Sequence, residues 1–113
     1  MKKKYEATDE MVSAVLGHLH KGKNNAIKHD VLVKLSGLND RTLRLALEKA
    51  RRDFCIINDQ DGKGYYLPLN KDDAKRYYNQ EYNRAMSILK RLDGTKNYIK
   101  QMEGQIEFEQ EES

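Results

Sequence analysis

Two short runs of helical apolar spacing meet at Gly37 with only three residues between them. Val31, Leu32 and Leu35 share a face of one helix over about 29–36, and Gly37 supplies the left-handed residue that ends it. Asn39 or Asp40 then offers a cap oxygen to a following helix over about 40–53. Its Leu43, Ala46, Leu47, Ala50 and Phe54 recur at spacings of three and four. Helices this short are marginal alone, so other elements must cover their apolar faces. The turn at Gly37 therefore predicts a helix-turn-helix pair, and the remaining chain must supply its packing.

Candidate cover lies on both sides. Upstream, Thr8 can cap a helix over about 8–20 whose stripe is Met11, Val12, Val15, Leu16 and Leu19. Lys21–Asn25 reads as a turn, and Ala26-Ile27-Lys28 as a brief extended segment. Downstream the period shortens to two. Phe54-Cys55-Ile56-Ile57 and Tyr65-Tyr66-Leu67 read as strands around a turn rich in Asn, Asp and Gly, which predicts a β-hairpin before Pro68.

Asn70 and Asp73 then imitate a capping box for a long helix. Tyr78, Tyr82, Ala85, Leu89 and Leu92 step by four, three, four and three along it. Thr95, Ile99, Met102 and Ile106 continue after one irregular spacing, with Gly94 as the expected break. The predicted fold is mainly α with a small β-hairpin. It divides into a basic arm (1–7), a compact domain (8–69), a C-terminal helix (70–103) and an acidic tail (104–113).

A chain of 113 residues supports one modest core, and its 35% charged residues exceed the usual ~25%. It has no apolar run of ~18 residues to cross a bilayer, and Lys2-Lys3-Lys4 is followed by a polar segment instead of a signal peptide's apolar stretch; a soluble cytoplasmic protein is expected. The single cysteine, Cys55, excludes an internal disulfide and a multi-Cys zinc site. The net charge of +3 divides into +8 through residue 100 and −5 beyond it. A basic body suits a polyanion, and an acidic tail limits non-specific association.

The order helix, short strand, helix, turn, helix, hairpin resembles a winged helix-turn-helix. The similarity runs from Leu16 to Leu69 through Asn25-Ala26-Ile27, Leu35-Ser36-Gly37-Leu38-Asn39-Asp40-Arg41-Thr42-Leu43-Arg44 and Gly64-Tyr65-Tyr66-Leu67. More narrowly, residues 27–88 resemble small winged-helix proteins of phages and prophages of Gram-positive bacteria, including the trailing Asn83-Arg84-Ala85-Met86-Ser87-Ile88. The resemblance implies DNA binding. Where such proteins often carry Ser, this chain has Asn39-Asp40, and its Asp59-Gln60-Asp61 wing tip offers only Lys63 as a cation. The third helix is therefore expected to make most contacts.

With Leu43, Leu47, Ala50 and Phe54 inward, Arg41, Leu45, Glu48 and Arg52 point outward and Thr42, Arg44 and Lys49 lie at the sides. Such a face suits a major groove: Arg can donate twice to guanine, Glu can accept from cytosine N4, and Leu45 can touch a thymine methyl. Arg41 is the first candidate for base reading because recognition helices present their N-terminal residues to base edges; Thr42 and Arg44 follow, with Asn39 and Lys63 nearby. The competing reading is a solvated surface with a Glu48–Arg52 ion pair. Lys2, Lys3 and Lys4 are candidate phosphate contacts of an arm, or a floppy solubilising end.

No catalytic constellation is evident, so a non-enzymatic protein without metal or cofactor is expected. His18 and His20 diverge on their helix, His29 reads as a surface residue, Cys55 as a buried inert thiol, and Asp59–Gly62 lacks the later ligands of a calcium loop. The stripe of Tyr78, Tyr82, Ala85, Leu89 and Leu92 must be covered, either by a second copy in a homodimer or by folding back at Gly94. The leading expectation is a dimeric double-stranded DNA-binding protein serving phage transcriptional control or DNA replication. The alternative is an assembly adaptor that docks a phage or host protein through Leu45 and the long helix without touching DNA.

Overall fold

A computed structural model describes residues 6–112, with side-chain surroundings over 6–104. It is mainly helical: α1 (Asp9–Leu16), a 3-10 turn (Lys23–Asn25), α2 (His29–Ser36), α3 (Asp40–Ala50), β1 (Ile57–Asn58), β2 (Tyr65–Tyr66) and α4 (Lys71–Glu112). Two compact units divide between Tyr77 and Tyr78.

The caps act where the side chains allow. Thr8 Oγ1 accepts from the Met11 amide at 3.2 Å, Asn39 Oδ1 accepts from the Thr42 amide at 2.8 Å, and Gly37 closes α2 at φ +75°. Helix α1 stops at Leu16, short of the expected residue 20, because the chain leaves it to pair with the hairpin. The Leu67 amide donates to His20 O and the Gly22 amide to Leu67 O, both at 2.8 Å.

Strands β1 and β2 pair antiparallel, Ile57 opposite Tyr66 and Asn58 opposite Tyr65. The other edge of β2 is also occupied. Ile27 and Tyr65 exchange both backbone hydrogen bonds, at 2.9 and 2.8 Å, which ties the hairpin to the start of α2. Gly64 makes this approach possible: its φ is +102°, and a Cβ there would lie 1.9 Å from Ile27 O.

The core is built mainly between α1 and α3, with Val15, Leu32, Leu43, Ala46, Leu47 and Ile56 buried together. Three expectations for it need correction. Phe54 is 50% exposed, since α3 ends at Ala50 and residues 52–54 tighten onto Lys49 O and Ala50 O; Ile56 and Ile57 are buried instead. β1 accordingly starts at Ile57, later than predicted. On α2, Leu32 is buried and Val33 packs on the core, whereas Val31 and Leu35 are exposed.

The acidic hairpin tip is neutralised within the fold. Asp59, its side chain only 8% exposed, accepts from the Tyr66 hydroxyl at 2.6 Å and from Arg76 at 3.1 Å, and Lys23 Nζ lies 3.3 Å away. Lys23 also reaches Asp61 at 2.7 Å. Burial pushes the Asp59 carboxyl pKa up, but the bonds from Tyr66, Arg76 and Lys23 outweigh it and leave the pKa below its ordinary value. Among the described residues, no buried side-chain nitrogen or oxygen lacks a partner.

Helix α4 begins as predicted, with Asn70 Oδ1 accepting from the Asp73 amide and Asp73 Oδ2 from the Leu69 amide, both at 3.0 Å. It does not break at Gly94. One interior glycine costs only ~1 kcal/mol relative to alanine, too little to interrupt the good helix formers around it. Among the described residues, no helix is long and apolar enough to cross a membrane.

The hairpin geometry makes two predictions about stability. Gly64→Ala lowers the unfolding free energy in urea by about 3 kcal/mol or more, against about 1 for Gly62→Ala, where φ is +82° but the space is open. An equal effect would show that the approach to Ile27 is not limiting. Asp59→Asn costs about 2 kcal/mol at pH 7. Because the folded pKa is depressed, this contribution is complete above the unfolded value of about 3.9 and disappears as pH falls through the folded one. The difference between the two proteins should therefore hold above about pH 4 and narrow as the pH is lowered further, as read by urea unfolding at each pH.

Candidate nucleic-acid interface

At ~100° per residue, Arg41, Arg44, Glu48, Arg51 and Arg52 fall within an arc of about 100° around the α3 axis and its final turn, opposite the buried Leu43, Ala46 and Ala50. All five are exposed. Four guanidinium groups thus share one surface with the Glu48 carboxylate and, at its edge, the Asp40 carboxylate paired to Arg44, an excess of positive charge that gives the face its electrostatic character. Arg51 was missed in the sequence, although it lies two turns after Arg44.

Three other expected contacts, Leu45 from the outward face and Thr42 and Lys49 from its sides, lie outside that arc. Thr42 is 7% exposed and lies on the side of α3 that faces the core. Leu45 sits at the boundary and packs partly on the core instead of projecting outward. Lys49 turns toward the start of α1, where its Nζ donates to Ala7 O at 2.9 Å and lies 3.1 Å from Asp9. Asn39 serves as the helix cap.

Asp40, which looked like a charge opposing phosphate, is engaged from two directions. Arg44 Nε donates to its Oδ2 at 3.0 Å, and His29 Nε2 meets its Oδ1 at 2.5 Å. Arg44 first, then His29, hold its carboxyl pKa below the ordinary value. On the far side of the imidazole, Nδ1 lies 2.9 Å from the Tyr65 hydroxyl. The imidazole thus spans the Asp40 carboxylate on one side and the Tyr65 hydroxyl on the other. His29 therefore links β2 to the first turn of α3, which corrects its reading as a plain surface residue. The Arg51 guanidinium stands 5.9 Å from the centre of the Tyr65 ring, within cation–π range. A cleft of about 250 Å³ opens here, lined by Arg44, Leu47, Glu48, Arg51 and Tyr65.

Lys63 lies apart from that face, in a cleft of about 330 Å³ shared with Lys23, Asn24, Ala26 and Lys28. Two of these lysines precede α2 and had no sequence signal marking them as neighbours of the hairpin. Lys2, Lys3 and Lys4 lie outside the described residues. Cys55 is exposed, contrary to expectation; partial desolvation raises its thiol pKa against the pull of Arg51, which disfavours the reactive thiolate. Among the described residues no group of three or more His, Cys, Asp or Glu is placed to hold a metal ion.

No family model matches the sequence, and neither the curated proteins nor the solved structures include one significantly similar to it.

The division of α3 into an outward arc and a packed flank is testable without DNA. Lys49→Met should lower thermal stability by about 1 kcal/mol through loss of its bond to Ala7, and leave heparin retention nearly unchanged. Arg52→Ala should do the reverse. Equal heparin losses in the two variants would show that the charge is not segregated.

Proposed function

We propose that this chain is a non-enzymatic winged helix-turn-helix protein that binds double-stranded DNA, with α3 in the major groove, in the cytoplasm of a bacterial or phage-infected cell. Transcriptional control or phage DNA replication is the setting that the sequence resemblance suggests. The observation carrying this reading is the cluster of Arg41, Arg44, Arg51 and Arg52 on one side of a short helix whose other sides are packed or clamped.

Arginine suits both tasks at such a surface, because its fork of donors matches guanine O6 and N7 as well as phosphate oxygens. Arg41, nearest the helix N-terminus, is assigned to base reading, and Arg51 and Arg52 to the backbone. Glu48 between them would accept from a cytosine amine. Lys63 and Lys28 supply phosphate contacts from the wing side. Internal pairing of Asp40, Asp59 and Asp61 reduces the repulsion that their formal charges imply. Pairing of α4 with a second copy through Tyr78, Tyr82, Ala85, Leu89 and Leu92 completes the proposal, because this stripe is exposed and apolar. The adaptor reading without DNA rests mainly on that stripe, since Leu45 packs partly on the core.

A labelled random-sequence duplex titrated from low to moderate salt tests the reading. Affinity should fall with salt. Arg51→Ala and Arg52→Ala should each reduce the slope of log affinity against log salt by roughly 0.9 for every phosphate that the variant leaves unneutralised. Arg41→Ala should cost about 1–3 kcal/mol on a selected site and relax its sequence preference. Absence of duplex binding at low salt would sink the proposal.

A further inference from the structure

Continuity of α4 through Gly94 changes how its apolar stripe is counted. With no break, the alternation of four and three continues past Leu92, and the seam becomes a strict heptad. One series runs every seventh residue from Tyr78 through Ala85, Leu92 and Ile99. The other starts at Tyr82 and passes through Leu89, but its next two members are Lys96 and Glu103. The face is open to solvent, with Tyr78 66% and Leu89 55% exposed. The Tyr78 and Tyr82 rings stack along the helix at 6.0 Å and 17°, forming a flat aromatic shelf at one end of the seam.

The two charged residues decide how this face can be covered. In a parallel, in-register pair each seam position meets itself, so Lys96 would face Lys96 and Glu103 would face Glu103, two like-charge contacts within an apolar interface. Reversal of one helix removes both conflicts. Resting on the second-copy pairing proposed above, we infer that α4 associates as an antiparallel two-helix coiled coil whose centre is the mutual packing of Leu89 with Leu92 of the second copy.

Every seam position then meets a chemical complement. Lys96 packs beside Ala85 of the second copy, the smallest residue of the seam, which leaves its aliphatic stem room to carry the ammonium out to water. Ile99 covers Tyr82 of the second copy on the aromatic shelf. Glu103 meets Tyr78 of the second copy, whose hydroxyl can donate to the carboxylate. The arrangement is two-fold symmetric, so each complementary pair occurs twice. This self-complementarity in size and polarity, together with the removal of both like-charge contacts, points to a second copy of the chain as the occupant.

The test uses the full chain with Cys55→Ser, so that no other thiol is present. Chains carrying Ala85→Cys are mixed with chains carrying Lys96→Cys in a glutathione redox buffer, and sedimentation of the Cys55→Ser protein is measured in parallel. Expected results are a dimer mass and a mixed 85–96 disulfide at least tenfold more abundant than either self-disulfide. In the antiparallel pair the two copies of residue 85 are about 16 Å apart along the axis, beyond disulfide reach. A prominent 85–85 disulfide would overturn the orientation, and a dimer giving no mixed disulfide would overturn the register. A monomer at tens of micromolar would overturn the second-copy pairing itself, leaving the stripe to another partner.

Discussion

Tyr65 is the residue on which the N-terminal unit depends. Its backbone exchanges two hydrogen bonds with Ile27, its hydroxyl meets His29, its ring lies beneath Arg51, and its own strand pairs with β1. A two-residue strand has little stability of its own, and β1 alone would not hold β2 in place. The bridge to Ile27 gives β2 a second neighbour, and Gly64 lets the backbones close to a distance that any side chain would prevent. Through the same residue the hairpin, the start of α2 and the first turn of α3 become one mechanical assembly. The interface proposed on α3 would benefit from that rigidity, because side chains on a mobile helix would lose more entropy on docking.

Formal charge along the sequence is a poor guide to the field that this unit projects. The acidic residues most unfavourable to polyanion binding are already engaged: Asp40 by Arg44 and His29, Asp59 by Lys23, Arg76 and Tyr66, and Asp61 by Lys23. Asp59 shows the consequence most clearly. Its burial alone would favour the neutral acid, yet three donors keep it ionised and fixed, so its charge is compensated within a few ångströms. Lys23 is partly spent in the same way. Arg51 and Arg52 have no carboxylate within ion-pair distance among the described residues, and the outward field of α3 rests chiefly on them, because Asp40 compensates the charge of Arg44 as Asp59 and Asp61 compensate that of Lys23.

The fold was legible in the sequence wherever a local signal fixes a local conformation. Thr8, Asn39, Asn70 and Gly37 marked helix ends correctly because a cap is decided by three or four consecutive residues. Periodicity located the elements but erred at their margins. Phe54 continued the pattern of α3 on paper, whereas the helix ends at Ala50 and the following turn rotates that ring outward. Site residues followed the same division. Arg41, Glu48 and Arg52 were placed outward by helical angle alone; of the three residues expected at the sides, Arg44 joins the exposed arc, whereas Thr42 and Lys49 belong to the packed flank because α1 lies against that side of α3. His29 and Tyr65 are 36 residues apart in sequence. No spacing rule relates such residues, since their meeting depends on the strand register set by Gly64.

In α4 a local signal misled in the opposite direction. Glycine at position 94 suggested a break, and that break hid the heptad by restarting the count beyond it. Once the helix is continuous, Lys96 and Glu103 fall inside the seam instead of beside it. Charged seam residues weaken association relative to leucine, so their presence needs a compensating role. Orientation is such a role: an all-leucine seam would pack almost equally well in either direction, whereas one lysine and one glutamate in the same series penalise the parallel arrangement twice. In the antiparallel pair proposed above, the two residues would trade part of the strength of the interface for a single geometry.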